Sequence, residues 1–375
     1  MPQLKDFYEL LFMRLIRKEH YMTTYLVTGC AGFIGTTFVH YMLSRYTDIR
    51  IINLDALTYA GNLENLKDLE DDERHTFVHG NICDRNLVEK LITGYDPDFI
   101  INFAAESHVD RSIAGPEIFV TTNVMGTVNL LQRTKDAWYD PGQKTWKRGK
   151  KYIQVSTDEV YGALGPEGFF TENTPLDPHS PYSASKASAD YFVKAYHDTY
   201  GMPVNITRCS NNYGMYQFPE KLIPLMINNA KEHRPLPVYG DGLQIRDWLF
   251  VEDHCKAIDL VASGGRPGEV YNIGGHNERT NIFIVQTIIS QLSEKLHDPD
   301  INESLIRHVE DRLGHDRRYG IDPSKIRTEL GWYPETPFET GIVKTIDWYL
   351  ANQEWMKRVT SGEYQKYYEE MYKNR

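Results

Sequence analysis

The 375-residue chain is 41% hydrophobic and 25% charged, with a net charge of −11. That suffices for a large core in two domains or one large α/β unit. The acidic balance and lack of a basic run argue against nucleic acid or an anionic membrane surface as the main partner.

In residues 1–21, Asp6, Glu9, Arg14, Arg17 and Lys18 interrupt the apolar positions. The pattern suits a short amphipathic helix rather than a signal peptide. Met22 directly precedes the first strand and is read as the natural start, with 1–21 as an extension. The predicted strands are then "TYLVTG" (24–29), "RIINLD" (50–55), "TFVHG" (76–80), "DFIINFAA" (98–105), "KYIQVST" (151–157) and "PVNITRCS" (203–210). Helical patterns fall between them, notably "FIGTTFVHYMLSRY", "CDRNLVEKLI", "FVTTNVMGTVNLLQRTKDAW" and "SASKASADYFVKAYHDTYG". Short apolar strands alternating with helices predict a Rossmann-type, doubly wound parallel sheet over 22–208. Beyond Ser210 the segments shorten and gain Pro and Gly. Residues 209–375 are expected to form mainly a smaller α/β substrate-binding domain, with some segments returning to the first. Residues 140–151 read as a polar loop. Cys30, Cys83, Cys209 and Cys255 show neither C-x-x-C nor metal-ligand spacing. The expectation is reduced thiols in the cytoplasm, no metal and no membrane span.

"TGCAGFIG" places Gly29, Gly32 and Gly35 between the first strand and first helix. There a tight turn, a close backbone approach and the helix N-terminus together receive a pyrophosphate. The glycines alone could be only a tight turn. Asp55, ending the second strand, adds the acid that takes ribose hydroxyls and would repel a 2′-phosphate, which favours NAD over NADP. Small Ala104 and Ala105 end the fourth strand, where a cofactor can lie against it. Glu106, Ser107 and His108 bring polar groups to the same crevice, though His108 alone could be an ordinary loop histidine.

"PYSASK" sets Tyr182 and Lys186 at i and i+4 on one helix face. A nearby ammonium is expected to lower the phenol's pKa so that it can take a hydroxyl proton. "VSTDEVYG" puts Asp158 and Glu159 side by side after Thr157, at a strand end where two carboxylates either face water or do chemistry. Crowded carboxylates resist double ionisation, which yields one acid and one base.

"TGCAGFIG", "LDALTYAGN", "AAESHVDRSI", "VSTDEVYG", "PYSASKASAD", "CSNNYG" and "IRDWLFVEDH" follow in one order from about Thr24 to about residue 350. In this the chain resembles the extended short-chain dehydrogenase/reductase family, and most closely its branch of dTDP-glucose 4,6-dehydratases. The resemblance implies a tightly bound, internally recycled NAD. It implies that Tyr182 takes the C4 hydroxyl proton, Thr157 holds the C4 oxygen, Glu159 removes the C5 proton and Asp158 protonates the leaving C6 hydroxyl. Around the cofactor it implies Phe33, Ile34, Ala56, Leu57, Thr58, Asn81, Ile82, Phe103, Thr122 and Asn212, together with Lys186 and Ser107. Toward the sugar nucleotide it implies Ser107, His108, Asn211, Glu220, Lys221, Leu222, Pro237, Val238, Tyr239 and Arg246, with Asn281, Asp311, His315 and Tyr319 at the nucleotide end. Asn81 stands where the family often has Asp, and Leu313 where a Pro is common. The base of the nucleotide is not legible from these residues. A 4,6-dehydratase of UDP-, CDP- or GDP-sugars therefore stays open. A decarboxylase of the same fold also stays open; a 4-epimerase is disfavoured by the acid pair, and a non-catalytic NAD-binding regulator by the presence of Tyr182, Lys186 and both acids. The family further implies a homodimer, with helices starting near Ile113 and Tyr182 pairing as a four-helix bundle.

Overall fold

A computed structural model describes residues 22–361; the expected helix and extension over 1–21 lie outside them. Seven strands form the main sheet: β1 (Thr23–Thr28), β2 (Ile49–Asp55), β3 (His75–His79), β4 (Phe99–Asn102), β5 (Lys151–Thr157), β6 (Val204–Cys209) and β7 (Val270–Ile273). Their order is β7-β6-β5-β4-β1-β2-β3, and every pairing is parallel. The near-continuous apolar runs of the sequence have this cause: β5 and β6 are buried at every position because helices cover both faces. Even Lys151 is buried there, its ammonium donating to the carbonyls of Val261 (3.1 Å) and Gly265 (2.6 Å). The chain leaves β1 in both directions across the sheet. This opens a crevice at the carboxyl ends of β1 and β4, where ligands of such sheets bind.

One core packs Phe38 and Met42 of the helix Phe33–Arg45 and Cys255 and Ile258 of the helix Val251–Gly264 with Ile51 and Tyr271 of the sheet. A second core gathers Tyr213, Met226, Trp248, Phe250, Ile288 and Tyr349. It surrounds a three-stranded sheet (Asn211–Tyr213, Ile245–Phe250, Glu278–Thr280) and a parallel pair (Leu236–Tyr239, Ile306–Val309). Two segments differ from their sequence reading. "GEVYNIGG" supplies β7, the edge strand of the large sheet, rather than a small separate strand. The polar loop over 140–151 begins with a two-residue hairpin, Tyr139–Asp140 against Thr145–Trp146. All four cysteines are free. Among the described residues no helix is long and apolar enough to cross a membrane.

Candidate active site

The crevice holds a cavity of about 310 Å³, within the size range of small-molecule sites. Each strand end contributes to it. The turn after β1 brings Gly29, Gly32, Phe33, Ile34 and Gly35; β2 ends in Asp55, Ala56 and Thr58; β3 leads to Asn81 and Ile82. The segment after β4 brings Phe103, Ala104, Ala105 and Ser107, and Thr122 faces them. Leu57 is not in the wall. Its backbone turns through φ 50°, its N–H donates to Asp55 Oδ1 (2.7 Å), and its side chain packs on the first core. It fixes the acid rather than touching the cavity.

The residues fit a dinucleotide. Gly29 has φ 71°, and a Cβ there would meet Ala104 N at 2.6 Å. A Cβ on Gly32 would meet only Gly29 O, at 3.4 Å, leaving its cavity side open for a ligand. Asp55 Oδ2 accepts from Ala31 N at 2.9 Å, so the acid ties the glycine turn to β2 while each oxygen keeps a lone pair for a hydroxyl.

At the end of β5, Thr157, Asp158 and Glu159 meet Tyr182 and Lys186 in one wall. The helix that carries the last two, Pro181–Tyr200, starts on a capping box of Ser180 and Ser183 with Pro at its first position, a strong start signal. Thr157 Oγ1 donates to Asp158 Oδ1 (3.3 Å) and accepts from Glu159 N (3.3 Å). The two acids sit in different surroundings. Asp158 is 1% exposed while Glu159 is only half-buried. Burial first, then the charge of Glu159, holds the Asp158 carboxyl well above the usual carboxylate range. A buried carboxyl held up in this way beside a more exposed one is the asymmetry that acid and base work requires.

The expected effect of Lys186 on the phenol is not what the chain's own groups produce. Burial, then the charge of Glu159, pushes the Tyr182 phenol well above its ordinary value, with a Thr157 hydrogen bond acting the other way. Lys186 donates instead to Val155 O at 2.7 Å, and burial lowers its own pKa against the opposing charge of Asp190.

Of the substrate-side expectations, Ser107, Asn211, Glu220 and Lys221 line the cavity, as does Asn212, expected on the cofactor side. His108 lies just behind it, buried, 4.0 Å from Asp110. A second group stands beside the acids: Arg246 lies over the Tyr319 ring at 4.1 Å, its charge reaching Asp158. Tyr239, Asp311 and His315 form a further cluster, with Tyr239 against the His315 ring (6.2 Å) and His315 bonded to Asp311. Asn281 opens a helix nearby and Leu222 opens another, half-buried on the second core. Val238 does not face the cavity. Its side chain is 2% exposed in the second core, because it and Pro237 belong to the strand Leu236–Tyr239.

Sequence reasoning passed over Gln217 and Phe218, which line the cavity just before Glu220. It also passed over Asn123, which donates to Glu106 O (2.9 Å) and Ser185 Oγ (2.8 Å) from a π-helical turn, Val120–Gly126. Such turns often mark functional positions, but nothing in the residue pattern announces them. Asp158 Oδ2, Asn211 Oδ1 and Gln217 Oε1 are buried without a protein partner. Buried polar atoms left over in a cavity wall point to a polar ligand.

A family model described as GDP-mannose 4,6 dehydratase matches residues 26–345. A dTDP-glucose 4,6-dehydratase of Xanthomonas campestris pv. campestris is 56% identical over 345 residues, covering 92% of this chain and 97% of that protein. A dTDP-glucose 4,6-dehydratase of Bacillus anthracis, solved in complex with NAD, superposes with a TM-score of 0.80 at 51% identity, over 90% of this chain and 99% of that one. One from Streptomyces venezuelae, with NAD bound, gives 0.82 at 47% identity, over 90% and 99%.

Proposed function

This chain belongs to the family of dTDP-glucose 4,6-dehydratases, and from that premise we propose how its own residues divide the reaction. The protein is an NAD-dependent hydro-lyase that converts dTDP-glucose to dTDP-4-keto-6-deoxy-glucose. When bound, NAD would supply reversible acceptance and return of a hydride, and its cationic oxidised ring would oppose the effect of burial on the Tyr182 phenol. Tyr182 takes the C4 hydroxyl proton, and Thr157, in the same cavity wall, holds the C4 oxygen. The resulting ketone acidifies the C5 hydrogen, which Glu159 removes, while Asp158 gives its proton to the departing C6 hydroxyl. Lys186 fixes the phenol's helix against β5 through Val155 O and adds a positive charge to the wall. The observation that carries this reading is the unequal burial of Asp158 and Glu159 in one wall, where Thr157 bonds the Asp158 carboxyl and the Glu159 backbone N–H.

Lys221 and Arg246 are the cations placed for the diphosphate; the planar fork of Arg246 suits two phosphate oxygens. Residues 22–208 hold the cofactor and 209–375 mainly the sugar nucleotide. The active form is a cytoplasmic homodimer. Ile118, Val120, Met125, Tyr191 and Phe192 are exposed on the two helical segments expected to pair as a four-helix bundle. Light scattering reporting a monomer at micromolar concentration would remove the dimer from this account.

The test of the acid–base division is solvent exchange. In deuterated water the wild-type product should carry deuterium at C5. Glu159→Gln should still oxidise C4, visible as reduced-nicotinamide absorbance, yet release no water. Water loss at the wild-type rate in Glu159→Gln would overturn the assignment.

A further inference from the structure

The glycine turn is held from a direction that the catalytic scheme does not use. Ala31 lies in the middle of it and is fully buried. Its N–H is taken by Asp55, and its carbonyl accepts from Asn62 N (3.0 Å) and from Asn65 Nδ2 (3.0 Å). Asn65 is 2% exposed and has no spare polar atom. Its Oδ1 accepts from Trp355 Nε1 at 2.7 Å, and its backbone carbonyl bonds His40 Nε2 at 2.8 Å.

Trp355 sits in the helix Gln353–Val359, far along the chain, and belongs to the second core. Its ring packs on Trp348 (5.1 Å between centroids) and Tyr349 (6.1 Å). The same helix reaches back a second time through an ion pair between Arg358 and Glu64. His40, on the helix that follows the glycine turn, stacks on Tyr216 (5.8 Å), which in turn packs on Trp348 (4.8 Å). The second core therefore grips the segment after β2, and through it the glycine turn.

We infer that Trp355 and Asn65 are positioning residues for the cofactor: the Trp355–Asn65–Ala31 hydrogen-bond chain holds the glycine turn in its dinucleotide-binding shape. The indole N–H decides which way the Asn65 amide points. With Oδ1 bound to the indole, Nδ2 must face Ala31 O. Without the indole donor, Oδ1 is buried unpaired and the amide loses its reason to keep that orientation. The tail of the chain thus sets cofactor affinity without touching cofactor or substrate. This rests on the reading that NAD occupies the glycine turn.

The test compares wild type, Trp355→Phe, Asn65→Ala and the double variant. Three quantities are read: NAD retained through purification and its dissociation constant, the rise in Tm on adding NAD, and kcat at saturating NAD. The expected result is NAD binding weakened about fivefold in each single variant, the weight of one buried hydrogen bond. The double variant should lose little more, because both residues act in one chain. The Tm rise on adding NAD should shrink and kcat should hold. Phe keeps the ring packing, so Trp355→Phe decides the matter if Asn65→Ala does not fold. NAD affinity and NAD-dependent Tm rise equal to wild type, even with a lower Tm, would reduce both residues to structural roles and overturn the inference. Wild type that binds no NAD would instead overturn the reading of the glycine turn itself.

Discussion

Two alanine substitutions in the glycine turn should fail in opposite ways. A Cβ on Gly35 would stand 2.3 Å from Gly29 O and 2.9 Å from Cys30 Cα, both backbone atoms. Reaching the 3.4 Å of an ordinary contact requires the helix Phe33–Arg45 to retreat by about 1.1 Å (3.4 minus 2.3). That helix packs through Phe38, Val39 and Met42 into a full core, so the retreat is resisted. Overpacking of this kind costs about 1–3 kcal/mol, a few degrees of Tm in a chain of this length. Gly32→Ala has only the 3.4 Å contact to Gly29 O to satisfy. It should melt like wild type, yet its methyl enters the space where the pyrophosphate approaches, weakening NAD by more than about tenfold, or 1.4 kcal/mol. Differential scanning calorimetry of the cofactor-stripped proteins and titration with NAD read the two effects separately. Wild-type NAD affinity in Gly32→Ala, or wild-type stability in Gly35→Ala, would refute the steric reasoning.

Asp158→Asn removes the transferable proton and should slow water elimination by about 10²–10⁴-fold, with reduced cofactor accumulating in stopped-flow absorbance. The same variant should change the pH dependence of stability. A carboxyl raised by burial stabilises the fold fully below its ordinary pKa, and that contribution is lost as pH rises toward the raised value. Asp158→Asn should therefore gain relative to wild type as pH rises in urea midpoints measured from about pH 5 to about pH 8, the usual window of maximal stability; an unchanged difference across the series would contradict the buried-acid picture. His254 is fully buried, bonds Asn212 Oδ1 at 2.9 Å, and is pushed by burial from an ordinary 6.5 to about 3. Since only the unfolded chain takes its proton between those values, stability should fall as pH drops below 6.5, by up to about 1.4 kcal/mol per pH unit from this group. His254→Asn should flatten that slope by one proton, as acid titrations of the urea midpoint would reveal.

The glycine turn, Asp55 and the Tyr182–Lys186 helix were legible because their chemistry is local: a turn, a strand end and an i, i+4 pair are properties of a few adjacent residues. β7 was not, because "GEVYNIGG" is four strand residues between glycines, and only the partner β6 tells it from a loop strand. The family resemblance put Leu57 and Val238 at the wall, yet a left-handed turn and the strand's pleat point these side chains into cores. The phenol's electrostatics were misjudged for a related reason: spacing shows that Lys186 and Tyr182 share a face, but burial, which dominates the phenol, is a tertiary quantity. The Trp355–Asn65 contact joins residues 290 positions apart, beyond any pattern in the chain.

The central claim is dehydration at the sugar by an internally recycled cofactor. The most direct measurement is the mass of the product after incubating the purified protein with dTDP-glucose, and separately with UDP-, CDP- and GDP-hexoses, without reduced cofactor. The account predicts loss of one water, chiefly from dTDP-glucose. Conversion of glucose to galactose with no change in mass would contradict it and return Asp158 and Glu159 to an unexplained pair.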